Sequence, residues 1–584
     1  MGFPSSPPAM IRAFCFSLLL CCLPAQAQGV LRVFLTGPEV SLDPASATDL
    51  ASLSILENLY DAPLAWAYLA RPLELQAQTL SALPQISADG KTWLLDVRPG
   101  QMFDPDPAFG GKARELTAED YAYSWKRLYD PALKSAWLFM LEGKLEGDEV
   151  LREAARAGRF DAKQNISGLQ VLSRYRLQVR LRAPDPEFRY FLTLPAAAAV
   201  AHETVGKNSW PRGVGPYRLA EWKPSHRLLL RANPDYRRQL APAQQVPAAW
   251  RDLQRSLQQQ TLPRNQAVDI RIVEEGQARL LGFANREFDL LEQVPPDLAG
   301  SVAQLEGTSW RLRPEWQKRG IKLSTFVPMQ VYFLWFNLRD PVIGGYSPEK
   351  IALRRAIALG HDQAQDLRIL EHGLGQPAAS PLPPGVPGHD PQWRGSLRYD
   401  PKLANALLDR FGYKRGADGW RTLPNGQPLE LRMHTLGTSK ARAQSENWQK
   451  EFQALGLRLR FIIDKPGEIR KAARAGQVQM AENNWIGDYP DAANFLQLLA
   501  GDSSGNYTGF KLAAYDAAYA GLQRSSEPAR RAALLREMEW LVQAYNPWVL
   551  RMYPLSLDLL QPDLQNYVRH PVHFTNWRYL QPGR

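Results

Sequence analysis

Beyond residue 27 the 584-residue chain has no cysteine, since all three, Cys15, Cys21 and Cys22, precede it. Disulfides, thiolate catalysis and Cys-ligated metals are thereby excluded from the remainder. Long apolar runs are scarce: residues 13–23 form one, and residues 194–201 form another that Pro195 interrupts. A spanning helix needs about 20 apolar residues, so neither qualifies. Seventy basic against 59 acidic residues leave +11, yet no five Lys/Arg are consecutive. A nucleic-acid arm or polybasic membrane patch is unsupported, and no nucleic-acid partner is expected. The eight histidines are scattered without H-x-x-x-H or H-E-x-x-H spacing; His361-Asp362 and His389-Asp390 are pairs by adjacency alone. Asp104 and Asp106 suggest calcium, but Pro105 and Pro107 replace the flexible ligand loop. Phosphate-loop and dinucleotide motifs are missing, so neither metal nor cofactor is expected.

What the chain does have begins with its leader. Arg12 precedes the apolar run 13–23, which Pro24 ends before Ala25-Gln26-Ala27. This order of charge, apolar run and small residues is a secretory signal, with cleavage expected after Ala27 and delivery to the periplasm. Starting at Met10 would place Arg12 third in the chain, leaving two possible starts. A lipoprotein signal needs a small residue before the modified Cys; Leu20 precedes Cys21, and Cys21 precedes Cys22. A soluble exported protein is favoured.

The length allows about four domains at ~150 residues each, or two to three large lobes. Seventeen Trp, 21 Tyr and 21 Phe exceed what a core alone requires and lean toward an aromatic-walled cleft. Strand patterning predicts strands over 28–36, 92–97, 169–181, 227–231, 268–273, 429–434, 457–463, 484–486, 548–552 and 555–560, and the continuous apolar run 331–337 reads as a fully buried strand. Helical spacing predicts helices over 48–60, 141–157, 185–191, 276–284, 348–359, 401–411, 440–455, 468–475 and 528–545, with another capped by Thr117. Residues 241–265, rich in Gln, Pro and Ala, read as an inserted loop with one helix. Helices and strands intermingle throughout, so the fold class is α/β with several lobes.

Gly501-Asp502-Ser503-Ser504-Gly505 fits G-x-S-x-G, which raises an exported serine hydrolase acting through Ser503. That motif works where a strand delivers the serine and a helix follows. Here the preceding stretch 491–500 reads as helix and 506–510 as polar loop. No convincing reaction centre emerges, and the chain is read as a non-enzyme.

A series of segments then resembles the large periplasmic oligopeptide- and dipeptide-binding proteins of ABC transporters, the peptide and nickel group of extracellular solute-binding proteins. They are SLDP at Ser41, ENLYDAPLAW at Glu57, RPGQMFDP at Arg98, LTAEDYAYSWKRLYDP at Leu116, GVGPYRLAEW at Gly213, NPDY at Asn233, LRRAIALGHD at Leu353 and WIGDYPDAANFL at Trp485. They occur in the family's order over nearly the whole mature chain.

The resemblance implies a type II-like, two-lobed periplasmic binding protein with an additional smaller lobe. Lobe I is expected over 28–61, 208–330 and 548–584, the inserted lobe over 62–207 and lobe II over 331–547, with hinge strands near 330–336 and 546–552. It implies a monomeric receptor that captures an oligopeptide between the lobes and delivers it to an inner-membrane ABC permease. The same fold could carry a nickel chelate, haem, glutathione, an opine or a murein peptide.

By the same resemblance Asp488 receives the ligand α-ammonium, and Trp485 and Gly487 belong to the wall and added-strand backbone beside it. Gly487-Asp488-Tyr489-Pro490 is also turn chemistry. Thr48 and Leu50 fall where lobe I offers backbone groups, although they also suit a helix start. Trp137 matches an aromatic packed on the ligand, with helix packing as the alternative. Relatives often present a basic residue shortly before the Trp to meet the ligand carboxylate; this chain has Glu482-Asn483-Asn484.

Overall fold

The computed structural model describes Gly2 and residues 29–583 apart from 207–209 and 237. The expected signal segment, its cysteines and the cleavage after Ala27 lie outside the described residues, as does the boundary expected at 207–208.

The first strand, Val30–Leu35, alternates so that Leu31, Val33 and Leu35 are buried. It runs parallel to Ala267–Ile272, and Arg227–Ala232 and Tyr217–Lys223 complete a four-stranded sheet. Helix Leu50–Leu59 follows, its N-cap Asp49 accepting from the Ser52 N–H. The backbone at Gly215 meets the end of that helix: a Cβ there would lie 2.3 Å from the Leu59 carbonyl carbon, so only glycine fits.

Residues 62–207 supply a second four-stranded sheet, ordered Gln85–Ile86, Thr92–Asp96, Arg176–Arg180, Leu169–Ser173. Its inward side chains, among them Trp93, Leu177 and Val179, share one continuous core with Leu31, Leu228 and Ile270 of the first sheet. Asp104 and Asp106, weighed above as calcium ligands, instead pair with Arg218 and Arg212 at 3.0 and 2.8 Å and fasten this segment to the chain that follows it.

A separate core gathers around a six-stranded sheet ordered Gly375–Pro377, Trp548–Pro554, Gln330–Phe336, Met480–Ile486, Glu430–Thr435, Arg458–Ile463. Strand Gln330–Phe336 is apolar on both faces because helices cover both, as a central strand requires. The chain enters this sheet from strand Lys322–Phe326 and leaves it through strand Ser556–Leu560, which pair antiparallel in a smaller three-stranded sheet. The two crossings, at 327–329 and at 555, therefore lie side by side. Trp548–Pro554 belongs to the six-stranded sheet, so the return to the first side begins at 555 and not at the expected 548.

Other expectations need correction. Instead of a helix over 141–157 there is a 3-10 turn at Ala136–Met140 and a helix only at Glu149–Arg156, because Gly143 and Gly147 take φ of 74° and 75°. The single strand expected over 169–181 is a hairpin turning between Ser173 and Arg176. Helices Gln363–Leu370 and Ala513–Arg524 were not anticipated. By contrast, Gly276–Ala284 and Pro528–Tyr545 form as their spacing predicts, and Arg251–Gln258 is the helix within 241–265. At the helix Ala118–Lys126, the Asp120 carboxylate accepts from the Thr117 N–H and hydroxyl at 2.8 and 2.9 Å.

Candidate functional site

Strand Met480–Ile486 is where the second side of the molecule can bind another strand. It pairs along its whole length with Gln330–Phe336, but Glu430–Thr435 on its other flank stays in register only at Met480 and Ala481 before diverging. Gly487 N–H donates to Met329 O and Asn337 N–H to Gln479 O, which sets the alternation of the antiparallel ladder. Odd-numbered residues from Ala481 to Trp485 thus bond inward, and the N–H and C=O of Glu482, Asn484 and Ile486 face the open flank. Asn483 Oδ1 accepts from the Asn484 N–H at 2.9 Å and covers one of these donors. The gap left by the divergence is a slot of about 510 Å³.

Asp488 stands at the end of this edge. Asn494 holds the turn, its Oδ1 accepting from Asp488 N–H at 3.0 Å and from Trp485 Nε1 at 2.9 Å, while its Nδ2 donates to Asp488 Oδ2 at 3.0 Å. Gly487 is required by packing, since a Cβ would sit 2.9 Å from the Phe495 ring. The half-buried Asp488 carboxyl has no cationic partner among the described residues, and desolvation pushes its pKa up.

Asp488 also borders a cavity of about 50 Å³ whose other walls come from the first side, including Glu57, Asp61, Trp66 and His573. Two of its three carboxylates already have partners: Glu57 meets His573 at 2.6 Å, and Asp61 meets Arg578 at 2.9 Å and Arg238 at 3.2 Å. The His573 ring lies between Glu57 and the Trp66 carbonyl, at 2.6 and 3.0 Å from its two nitrogens. Asp488 is left as the carboxylate able to take an incoming cation.

The two sides touch immediately beyond it. Tyr489 Oη donates to Glu187 at 2.9 Å, and Tyr190 Oη donates to Asp491 at 3.1 Å. Arg531 holds Asp491 with two contacts at 2.7 and 2.9 Å, while Asp491 caps the following helix by accepting from Ala493 N–H. Sequence reasoning missed Glu187 and Tyr190, whose partners lie about 300 positions away; Asp491 and Asn494 were visible inside the quoted WIGDYPDAANFL segment but had no assigned role.

The remaining candidates do not gather at Asp488. Thr48 and Leu50 are exposed at the start of helix Leu50–Leu59 and do not line the small cavity. Trp137 is buried in the first core, and its Nε1 donates to Ala47 O at 2.8 Å, next to Thr48. Ser503 lies in turns after the 3-10 helix Gln497–Leu499, its Oγ accepting from Gly505 N–H, so no strand delivers it as a nucleophile. His361 bonds Glu451 and His389 the Leu382 carbonyl; no cluster of three or more metal-ligating side chains occurs among the described residues.

Two α/β lobes linked by adjacent crossings, with an open strand edge and an unpaired carboxylate at their junction, define an extracytoplasmic solute-binding protein. The chain belongs to the bacterial extracellular solute-binding proteins, family 5 (middle), whose pattern matches residues 74–507. It is similar to di/tripeptide-binding protein 2 of Pseudomonas aeruginosa (strain UCBPP-PA14), 24% identical over 505 residues and covering 83% of each chain. It is 26% identical over 546 residues to the probable deoxycholate-binding periplasmic protein YgiS of Escherichia coli (strain K12), covering 91% of this chain and 89% of that one. Among solved structures, the periplasmic binding protein DppA from Helicobacter pylori in complex with peptide STSA superposes with a TM-score of 0.71 at 19% identity, covering 96% of this chain and 99% of that one. No helix among the described residues is long and apolar enough to cross a membrane.

Proposed function

We propose that the protein is a non-enzymatic, monomeric periplasmic receptor that captures short peptides with a free N-terminus and presents them to an ABC permease. The observation that carries this is the open edge Glu482–Ile486 ending at Asp488. A peptide can add as a strand to the outward N–H and C=O groups, an interaction that reads main chain and tolerates many sequences. Its α-ammonium then meets Asp488, which has no cationic partner among the described residues. In this reading Trp485 walls the ligand, Gly487 lets the backbone turn, and Trp137 acts indirectly by fixing Ala47 so that Thr48 and Leu50 offer main chain from the first lobe. The lobes are taken as 29–61 with about 208–326 and 555–583, the inserted 62–207, and about 330–554; closure about the paired crossings buries the ligand.

Mass spectrometry of ligands co-purifying with the exported protein, followed by calorimetric titration with di- to pentapeptides, tests the proposal. Saturable binding of free-amine peptides without their hydrolysis is expected. Binding of a non-peptide cargo together with failure of all such peptides would reject it.

A further inference from the structure

The slot beside the open edge has chemically unequal walls, and this bears on which peptides enter it. One wall is apolar: Trp335, Ile469, Trp485, Leu498 and Tyr507 border it. Ile469, Trp485 and Tyr507 pack on the second core with part of their surface left uncovered. The facing wall is charged, yet its charges are paired with one another. Lys440 meets Glu371 at 2.8 Å, and Arg551 meets Glu482 at 3.0 Å and Asp366 at 2.6 Å; the His434 ring, whichever its charge, lies 3.1 Å from Asp464.

Arg470 alone among the charged lining residues makes no ion pair among the described residues, and it is solvent-exposed at the rim. A screened surface contact of that kind adds little to an acidic side chain. A ligand side chain entering the slot therefore finds uncovered aromatic and aliphatic surface and no free countercharge. A charged side chain would be desolvated there without a partner.

We infer that the slot selects peptides with a large apolar or aromatic side chain at the second or third residue. The inference rests on the peptide reading above, because position along the ligand is counted from the α-ammonium at Asp488. An extended strand advances about 3.3 Å per residue, so a peptide anchored there and running back along the edge places its second and third residues beside Trp485 to Asn483. The volume of about 510 Å³ lies in the range of small-molecule sites and accommodates an aromatic side chain.

Calorimetric titration of the mature full-length protein with Ala-Ala-Ala, Ala-Phe-Ala, Ala-Ala-Phe, Ala-Ala-Lys and Ala-Ala-Glu provides the test. At least one phenylalanine peptide should bind about tenfold or more tighter than Ala-Ala-Ala, and the Lys and Glu peptides no tighter than it. In Ile469→Asn the ratio of phenylalanine to alanine affinity should fall toward one; Tyr507→Ser serves the same purpose if Ile469→Asn alters the melting curve. Equal affinity for the phenylalanine and alanine peptides, or tighter binding of a charged peptide, overturns the selection while leaving the peptide reading intact. Failure of every peptide to bind overturns both.

Discussion

The rings of Tyr190 and Tyr489 stack across the lobe junction with centroids 4.7 Å apart and planes 16° from parallel. Tyr190 comes from the short helix Phe188–Phe191 of the inserted segment, and Tyr489 follows Asp488 directly. The contact that joins the lobes is thus one residue from the proposed ligand anchor. Occupancy of Asp488 and closure of the junction are mechanically adjacent, and a ligand that orders one favours the other to the extent that it binds the closed form better.

The junction should respond to pH through Glu187, which accepts from Tyr489 Oη. Burial, reinforced by the nearby Asp491 charge, raises its pKa from the ordinary 4.5 to about 7. A carboxyl whose pKa rises on burial favours the buried arrangement while protonated. The lobe contact is therefore fully supported below about pH 4.5 and weakens as pH rises through about 7, by about 3 kcal/mol if opening solvates the group. Small-angle scattering of the unliganded protein should show a larger radius of gyration at pH 8 than at pH 5. In Glu187→Gln this difference should vanish; an identical response in the variant would place the titrating group elsewhere.

Arg551 links the returning strand to the open edge. It is 2% exposed and bonds both Asp366 and Glu482. Arg551→Met leaves two carboxylates facing one another without a cation, and breaking a buried pair in this way costs about 3–5 kcal/mol. Urea unfolding should register that loss. Arg551→Lys keeps the charge but lacks the planar fork that reaches both acids, so its loss should be smaller. Equal stability of all three proteins would show that the pairing contributes nothing to the fold.

The sequence revealed local order better than long-range encounters. Helix Pro528–Tyr545 follows from helical spacing after Pro528, and strand Gln330–Phe336 from a continuous apolar run ended by Asn337, all of which are local signals. The helix expected over 141–157 failed because Gly143 and Gly147 adopt positive φ within an otherwise helical pattern. Asp488 was reachable only through the ordered family segments; as isolated residues, Gly487-Asp488-Tyr489-Pro490 reads equally well as a turn. The open edge was not legible at all, because it depends on where strand Glu430–Thr435 departs from its neighbour. The same limit hid Glu187 and Tyr190, whose role arises only when the two sides meet.

Asp488 itself admits the sharpest test. If its carboxylate meets the peptide α-ammonium in a closed cleft, both charges leave water together, and removing either strands the other. Such truncations cost about 2–5 kcal/mol, and each 1.4 kcal/mol is about tenfold in affinity. Asp488→Asn should therefore weaken peptide binding about 30-fold or more. Thermal stability should barely change, because Asn494 can still hold the turn through the Asp488 N–H, a contact the substitution retains. N-acetylation of the peptide should weaken binding to the unaltered protein by a comparable factor. Acetylated peptide with Asp488→Asn should then lose far less than the sum of the two, since both changes remove one and the same interaction. Calorimetric titration of the four combinations measures this directly; additive losses would reject the pairing even if each change alone were harmful, and a drop in melting temperature without loss of affinity would reduce Asp488 to a turn residue.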